Sequence, residues 1–145
     1  SLPEVMAFQT HLIPEHIDYM GFTKVDGRLR ILLDRDIRAN GPQFVVSMVD
    51  ELLKANNLDR NAIQHWVIHS GGRKVIDGIV EALSLDPAEA KASWEVLRQH
   101  GNMSSPTVLF VLEKTVELRK PRKGDLGVMI ALGPGFAAEG ALLKW

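Results

Sequence analysis

Residues 64–83, QHWVIHSGGRKVIDGIVEAL, decide the fold of this chain. Gln64 to His69 is short, aromatic and β-branched, which is typical of a buried strand. Ser70 and the two glycines that follow it interrupt that strand. Five apolar residues then recur at helical spacing, namely Val75, Ile76, Ile79, Val80 and Leu83. The segment predicts a strand, a turn and a helix, with His69 at the carboxyl end of the strand, where open α/β sheets usually bind ligands.

Two more helices are predicted on either side of this unit. A turn at residues 40–42 opens the first helix, with Pro42 at the first helical position, and Asn56 ends it. Asp86–Glu89 opens the second helix with an aspartate N-cap, a proline at N1 and a glutamate at N3. We expect this second helix to stop near Gly101, because glycine commonly follows a helix end.

The remaining segments predict one further helix and three strands. The residue types of Thr107–Leu112 favour a strand. However, apolar residues recur every four positions from this segment onward, so we predict a largely buried helix from near Ser104 to Pro121. Residues 1–27 have weak periodicity and are interpreted as connecting structure. The predicted strands are Leu29–Leu33, then Gly127–Leu132 and Ala138–Leu143 as an antiparallel pair joined by Gly133, Pro134 and Gly135. Composition and spacing thus predict an α/β domain.

The composition excludes several classes of function. The chain has 145 residues, enough for one domain, and its net charge of −1 is spread along the sequence, so nucleic-acid or anionic-membrane binding is not expected. It has no cysteine, which excludes disulfides and cysteine-bound metals. No apolar run approaches the ~20 residues that span a bilayer. Because Ser1 to Glu4 does not resemble a signal peptide, we expect a cytoplasmic protein, and the absence of Met at position 1 suggests a fragment.

His69 and Asn102 are the candidate catalytic residues. Both side chains offer N–H donors without adding negative charge, so together they could stabilise an oxygen on which negative charge develops. Each also has a simpler interpretation from the residues alone. His69 could be a hydrogen-bonded structural histidine, and Asn102, beside Gly101, could be a turn or cap residue.

Other residues give weaker signals of binding. His65 and His69 are four apart, but on a strand that spacing separates them by about 13 Å, so we predict no metal site. The segment Ser70–Lys74 opens a helix and could bind an anion through backbone N–H groups, or could be a tight turn with solvated cations. Trp66 and Trp94 are predicted to fill the core rather than to stack on a ligand.

Four ordered motifs closely resemble the C-terminal half of type III polyketide synthases, the chalcone and stilbene synthase family. They are His-Ser-Gly-Gly at 69–72, Gly-Asn-Met-Ser-Ser at 101–105, Val-Leu-Phe-Val-Leu at 108–112 and Gly-Pro-Gly at 133–135. The 33 positions between His69 and Asn102 also fit the family. The related ketoacyl synthase III enzymes share a His/Asn pair, but typically show His-Gln-Ala-Asn and Gly-Asn-Thr-Ser at these places, so the residues favour the polyketide branch.

The resemblance implies a thiolase-like fold built from two similar halves, each a mixed β-sheet with packed α-helices. Residues 1–145 would form the second half, the C-terminal domain, and the first half would carry the cysteine of a Cys–His–Asn triad. The substrates implied are malonyl-CoA and an acyl-CoA, with no separate cofactor and no metal. The implied partners are the N-terminal half and, for the parent enzyme, a second copy in a homodimer.

The resemblance also implies a role for each candidate residue. His69 Nε2–H and the Asn102 side-chain amide would donate to the enolate oxygen formed when malonyl-CoA loses CO₂, and His69 would also stabilise the cysteine thiolate. Ser104 would line the same cavity. The loop of Gly133, Pro134 and Gly135 would shape the wall of the cavity in which the product cyclises.

Three departures from the family pattern concern the substrate rather than the His/Asn chemistry. Ser70 replaces a proline that is usual in plant members, Ala131–Leu132 replaces Gly-Phe, and Leu29–Leu33 lacks a gating phenylalanine. They suggest a bacterial member, and residues 130–136 resemble synthases that condense only malonyl units to a dihydroxyphenylacetyl-CoA. The alternatives are a ketoacyl synthase III-like condensing enzyme and a non-catalytic binding or assembly module. Without the cysteine, we expect the isolated chain to be inactive.

Overall fold

The computed structural model describes residues 2–34 and 36–145, without the side chains of residues 38 and 39. Within these residues six strands and four α-helices follow one another along the chain. The strands are β1 (Glu4–Leu12), β2 (Met20–Val25), β3 (Arg28–Leu33), β4 (His65–Ile68), β5 (Leu126–Gly133) and β6 (Ala137–Lys144). The helices are α1 (Ile37–Ala55), α2 (Arg73–Ala82), α3 (Lys91–His100) and α4 (Pro106–Arg119), and 3₁₀ turns occupy Pro14–Tyr19, Arg60–Ala62 and Pro87–Ala90.

Four strands form a mixed sheet in the order β1-β6-β5-β4, and β2 and β3 form a separate hairpin. β4 pairs parallel to β5, whereas β5 with β6 and β6 with β1 are antiparallel. All four residues of β4 are buried, because helices cover both faces of the sheet there. The predicted mixed sheet is therefore confirmed.

The two faces of the sheet contribute alternate residues to two cores. Trp66 and Ile68 of β4 pack with α1 and α2, in a cluster that includes Val45, Met48, Leu52, Ile76, Ile79, Val128 and Ile130. Val67, between them, packs with α3 and α4, in a cluster that includes Val96, Val111, Ala141 and Leu143. Because successive side chains of a strand point to opposite faces of the sheet, the end of β4 packs against helices on both sides.

Helix α1 packs on β6 where residue 140 is glycine. A Cβ at Gly140 would overlap Met48 Sδ and would lie 3.4 Å from Leu52 Cδ2. Met48 and Leu52 are both fully buried on α1. A side chain at position 140 would therefore force the end of the buried Met48 side chain to move.

The interpretation of residues 1–27 as connecting structure is wrong. This segment contains β1, a 3₁₀ turn and β2. β1 pairs along its length with β6, with Glu4 opposite Lys144 and Leu12 opposite Ala137. The partner of β1 lies at the other end of the chain, so hydrogen bonding to β6 stabilises a strand that has little local pattern of its own.

The predicted start of α1 is also wrong. The helix begins at Ile37, and Pro42 lies inside it rather than at its first position. Ile37 is only 3% exposed and packs with Ile13 and Phe136. This packing holds the first turn of the helix in place, although Pro42 has no N–H to donate.

Helix α4 is less buried than predicted. Thr107, Val111 and Thr115 form its buried stripe, but Leu109 is 59% exposed and Phe110 is 39% exposed. Helix α4 packs mainly on α3, β4 and β5, and the exposed Phe110 ring lies 5.3 Å from the ring of His100. The other predicted helices and strands are confirmed to within a few residues at their ends.

Candidate active site

His69 is the first residue after β4. Its backbone N–H donates to Ile130 O at 2.9 Å, which extends the pairing of β4 with β5 by one residue. Its carbonyl accepts from Gly71 N at 2.9 Å, and this tight turn leads into α2 through Gly72, whose φ of 151° suits glycine. The buried strand and the turn together fix the position from which the imidazole leaves the backbone.

The environment of His69 favours its neutral form. The ring is half-buried. Burial lowers the pKa of His69 from its ordinary value, because the cation loses hydration. At neutral pH the imidazole therefore keeps one N–H donor and one acceptor nitrogen. A Cβ at Gly71 would lie 3.7 Å from His69 Nε2, so the glycine leaves space beside that nitrogen.

Asn102 follows α3 through Gly101, whose φ of 70° ends the helix. Its Oδ1 accepts from Ser104 N at 2.8 Å, and its Nδ2 lies 3.4 Å from Gly71 O. Because the Ser104 N–H requires an acceptor, the amide oxygen faces Ser104 and the NH₂ group faces the His69 turn. Asn102 is therefore a turn residue through its oxygen and remains a donor through its nitrogen.

His69 and Asn102 line one cavity of about 960 Å³. Ser104, Gly133 and Pro134 are also on its wall, so five of the six candidate residues meet there. The rest of the wall is largely apolar, with residues of α2, the start of α4, β5 and the hairpin of β2 and β3. Its volume suits a substrate larger than a simple acid.

Gly135 is not on the wall of this cavity, in contrast to its neighbours Gly133 and Pro134. Its N–H donates to Met20 O at 2.8 Å, and its φ of 79° is one that glycine adopts without strain. Gly135 therefore attaches the loop between β5 and β6 to the start of the β2–β3 hairpin.

Sequence reasoning predicted β3 but missed β2, and so missed the hairpin that the two strands form. Phe22 pairs with Ile31 and Met20 with Leu33, and all four side chains line the cavity. The hairpin turns at Asp26-Gly27, where both residues have positive φ. An Asp-Gly pair between segments of alternating hydrophobicity is a strong hairpin signal, and it could have identified β2.

His65 belongs to a separate structural cluster. Its Nε2 lies 2.9 Å from Asp125 Oδ2, and its ring packs edge-on against Trp145 at 5.1 Å. The backbone N–H of Arg122, and then His65, lower the pKa of Asp125. Within residues 2–34 and 36–145 no group of three potential ligands could hold a metal ion.

The remaining sequence candidates lie at the edge of the cavity or in the core. Arg73 and Lys74, at the start of α2, border the cavity, and the Arg73 guanidinium lies 5.8 Å from the centre of the Trp94 ring. Trp66 is buried, and Trp94 is partly buried against the core of α1 and α2. Among residues 2–34 and 36–145, the helices lack the length and the apolar composition that a membrane span requires.

Comparison with protein families decides which proteins this chain is related to. The family described as chalcone and stilbene synthases, C-terminal domain, matches residues 5–145. The chain belongs to this family. Among its relatives are a 3,5-dihydroxyphenylacetyl-CoA synthase of Streptomyces toyocaensis, 38% identical over 145 residues, and a putative chalcone synthase of Bacillus subtilis, 31% identical over 143. The matches cover 99% of this chain but only 37% and 39% of those proteins.

Solved structures agree with this assignment. The type III polyketide synthase domain of Steely1 from Dictyostelium superposes with a TM-score of 0.85 at 29% identity, over 99% of this chain and 40% of that one. The 1,3,6,8-tetrahydroxynaphthalene synthase of Streptomyces coelicolor shares the fold, with a TM-score of 0.90 at 24% identity, over 99% and 41%. The predicted thiolase-like half-domain of a type III polyketide synthase is confirmed, and the chain spans about two fifths of the length of its relatives.

Proposed function

We propose that residues 1–145 are the C-terminal half of a longer type III polyketide synthase, in which malonyl-CoA is decarboxylated and condensed onto an acyl thioester. The observation that carries the proposal is that His69 and the Asn102 NH₂ group line the same largely apolar cavity. Preorganised N–H donors that point at a developing negative charge stabilise it. The nucleophilic cysteine would come from the N-terminal half.

The proposed reaction begins with transfer of the starter acyl group. His69, neutral because of its burial, would accept the proton of the cysteine thiol, and the thiolate would attack the acyl-CoA thioester. The CoA thiolate would then leave with the proton from His69. The acyl group is then bound to the cysteine. His69 and the cysteine would form an ion pair only while the thiolate is free.

Carbon–carbon bond formation follows decarboxylation. The malonyl carboxylate leaves as CO₂, and its bonding electrons form an enolate whose oxygen would accept hydrogen bonds from His69 and Asn102. The enolate carbon attacks the cysteine-bound acyl carbonyl, and the cysteine leaves as thiolate. A donor of this kind typically contributes about 10²–10³ in rate.

Malonyl-CoA is the proposed starter as well as the extender, because residues 130–136 resemble those of synthases that condense only malonyl units. Two relatives, from Streptomyces toyocaensis and Amycolatopsis orientalis, are named 3,5-dihydroxyphenylacetyl-CoA synthase and are 38% and 36% identical to this chain. Residues 130–136, which resemble those of such synthases, include Ile130, Ala131 and Leu132 on the cavity wall. A CoA thioester of a short aromatic acid is the product we propose.

The test supplies malonyl-CoA as the sole substrate and identifies products by mass spectrometry. We expect the full-length protein that contains this chain to form a polyketide product, and the purified 145-residue chain to form none. Malonyl carried on an acyl carrier protein is the matched alternative substrate. Condensation by the 145-residue chain alone, or by the full-length protein only from the carrier-bound substrate, would overturn the proposal.

A further inference from the structure

Ser93, in the first turn of α3, makes a buried hydrogen bond to the residue that precedes His69. The residue is completely buried, and its Oγ donates to Ile68 O at 2.7 Å. β4 is one of the two edge strands of the described sheet. Since His69 N–H points to β5, the preceding carbonyl of Ile68 points away from β5, where no strand can satisfy it. Ser93 provides the donor that this buried carbonyl requires.

Ser70 completes a second bond between the same two segments. It is also completely buried, and its Oγ donates to the backbone carbonyl of Ser93 at 2.7 Å. Ile68 and Ser70 are the two residues that flank His69. The Ile68 carbonyl before the histidine and the Ser70 hydroxyl after it are therefore both hydrogen-bonded to a single residue of α3.

Helix α3 leads directly to Asn102. It ends at His100, and Gly101 and Asn102 follow. The direct contact between the two candidate catalytic segments, Asn102 Nδ2 to Gly71 O, is long at 3.4 Å. The two 2.7 Å bonds of Ser93 are shorter and shielded from water, so they hold α3 against the His69 turn more firmly than the direct contact does.

We propose that Ser93 is a positioning residue, which together with Ser70 sets the separation between the His69 imidazole and the Asn102 amide. The inference rests on the proposed function in one respect, which is that a single substrate oxygen must accept hydrogen bonds from both His69 and Asn102. Positioning matters there because a misplacement of about 1 Å can reduce a rate by about a hundredfold. Ser93 itself touches no substrate, since it is not on the cavity wall.

The first test follows the His69 imidazole by NMR in the 145-residue chain. Ser93→Ala removes the bond to Ile68, Ser70→Ala removes the bond to Ser93, and the double variant removes both. Each should shift the imidazole resonances of His69 and move its pKa towards the ordinary histidine value, most in the double variant, because a loosened ring gains water. Thr115→Val is the matched control, since Thr115 Oγ1 bonds Val111 O at 2.8 Å, is also buried and is not on the cavity wall.

The second test measures malonyl-CoA decarboxylation by the full-length protein. Ser93→Ala should lower kcat by about ten- to a hundredfold with little change in KM, because the cavity remains but the donors diverge. Thr115→Val should lower the unfolding midpoint without this change in kcat. Wild-type His69 resonances and pKa in both serine variants would overturn the inference. If the wild-type enzyme proves inactive, the proposed function fails, while the NMR result still decides the role of Ser93.

Discussion

Asn102 uses the two ends of its side-chain amide for different contacts. The oxygen accepts from Ser104 N and fixes the turn before α4, and the nitrogen lies beside the His69 turn. The two interpretations of this residue from the sequence, turn residue and donor, are therefore compatible. Sequence reasoning could select Asn102 from its motif, but which atom faces the cavity follows only from the fold, because Gly71 is 31 residues away.

Asn102→Asp separates these two contacts. An aspartate keeps an oxygen for the Ser104 N–H but replaces the NH₂ donor by a second, negatively charged acceptor. We expect malonyl-CoA decarboxylation by the full-length protein to fall by about 10²–10³, with the unfolding midpoint nearly unchanged. Asn61→Asp, at an exposed position, serves as the control. A rate equal to that of Asn61→Asp would show that the Asn102 nitrogen plays no part.

The burial of His69 predicts a dependence of stability on pH. Its pKa is lowered in the folded chain, so between that value and the ordinary value of about 6.5 the unfolded chain binds more protons. This contribution to stability is complete above about pH 6.5 and is lost as the pH falls through the folded pKa. His69→Gln should therefore lose less stability than the wild type between about pH 7.5 and pH 5 in urea unfolding. Equal losses in both proteins would contradict the assignment.

At the scale of elements, the parts of the fold with a strong local pattern could be predicted from the sequence. The spacing of hydrophobic residues changes from a period of two in β4 to a period of 3.6 in α2. The predicted N-cap of the next helix is also present, because the Asp86 side chain accepts from Ala88 N at 2.8 Å. β1 could not be predicted, because its partner β6 lies more than 120 residues further along the chain. The start of α1 was missed because burial of Ile37 outweighs the local signal of Pro42.

The contact between α1 and β6 gives a prediction at this scale. Gly140→Ala would place a methyl group against Met48 Sδ and Leu52, both buried. We expect a loss of about 1–3 kcal/mol in the free energy of unfolding, which is typical of overpacking a core. Gly21→Ala is the control, because a Cβ there would meet nothing within 4 Å. The double variant Met48→Ala/Gly140→Ala should lose less stability than the sum of the two single losses, and an additive loss would contradict the proposed contact.

At the scale of the whole molecule, the cavity is assembled from segments that lie far apart in the sequence. The turn after β4, the turn after α3, the hairpin of β2 and β3 and the loop after β5 each supply part of its wall. Motif residues identified three of these four segments, because glycine, histidine and asparagine stand out in short patterns. The hairpin supplies apolar side chains such as Phe22 and Ile31, whose role depends on where the fold places them.

The measurement that tests the central claim most directly is the rate of malonyl-CoA decarboxylation by the full-length protein with His69→Ala or Asn102→Ala. Each variant removes one proposed donor to the enolate oxygen, so each should lower the rate by about 10²–10³. His100→Ala and Asn61→Ala change the same residue types at exposed positions and should keep wild-type rates. If both His69→Ala and Asn102→Ala fold normally and decarboxylate malonyl-CoA at the rate of these controls, the pair does not stabilise the enolate and the account is contradicted.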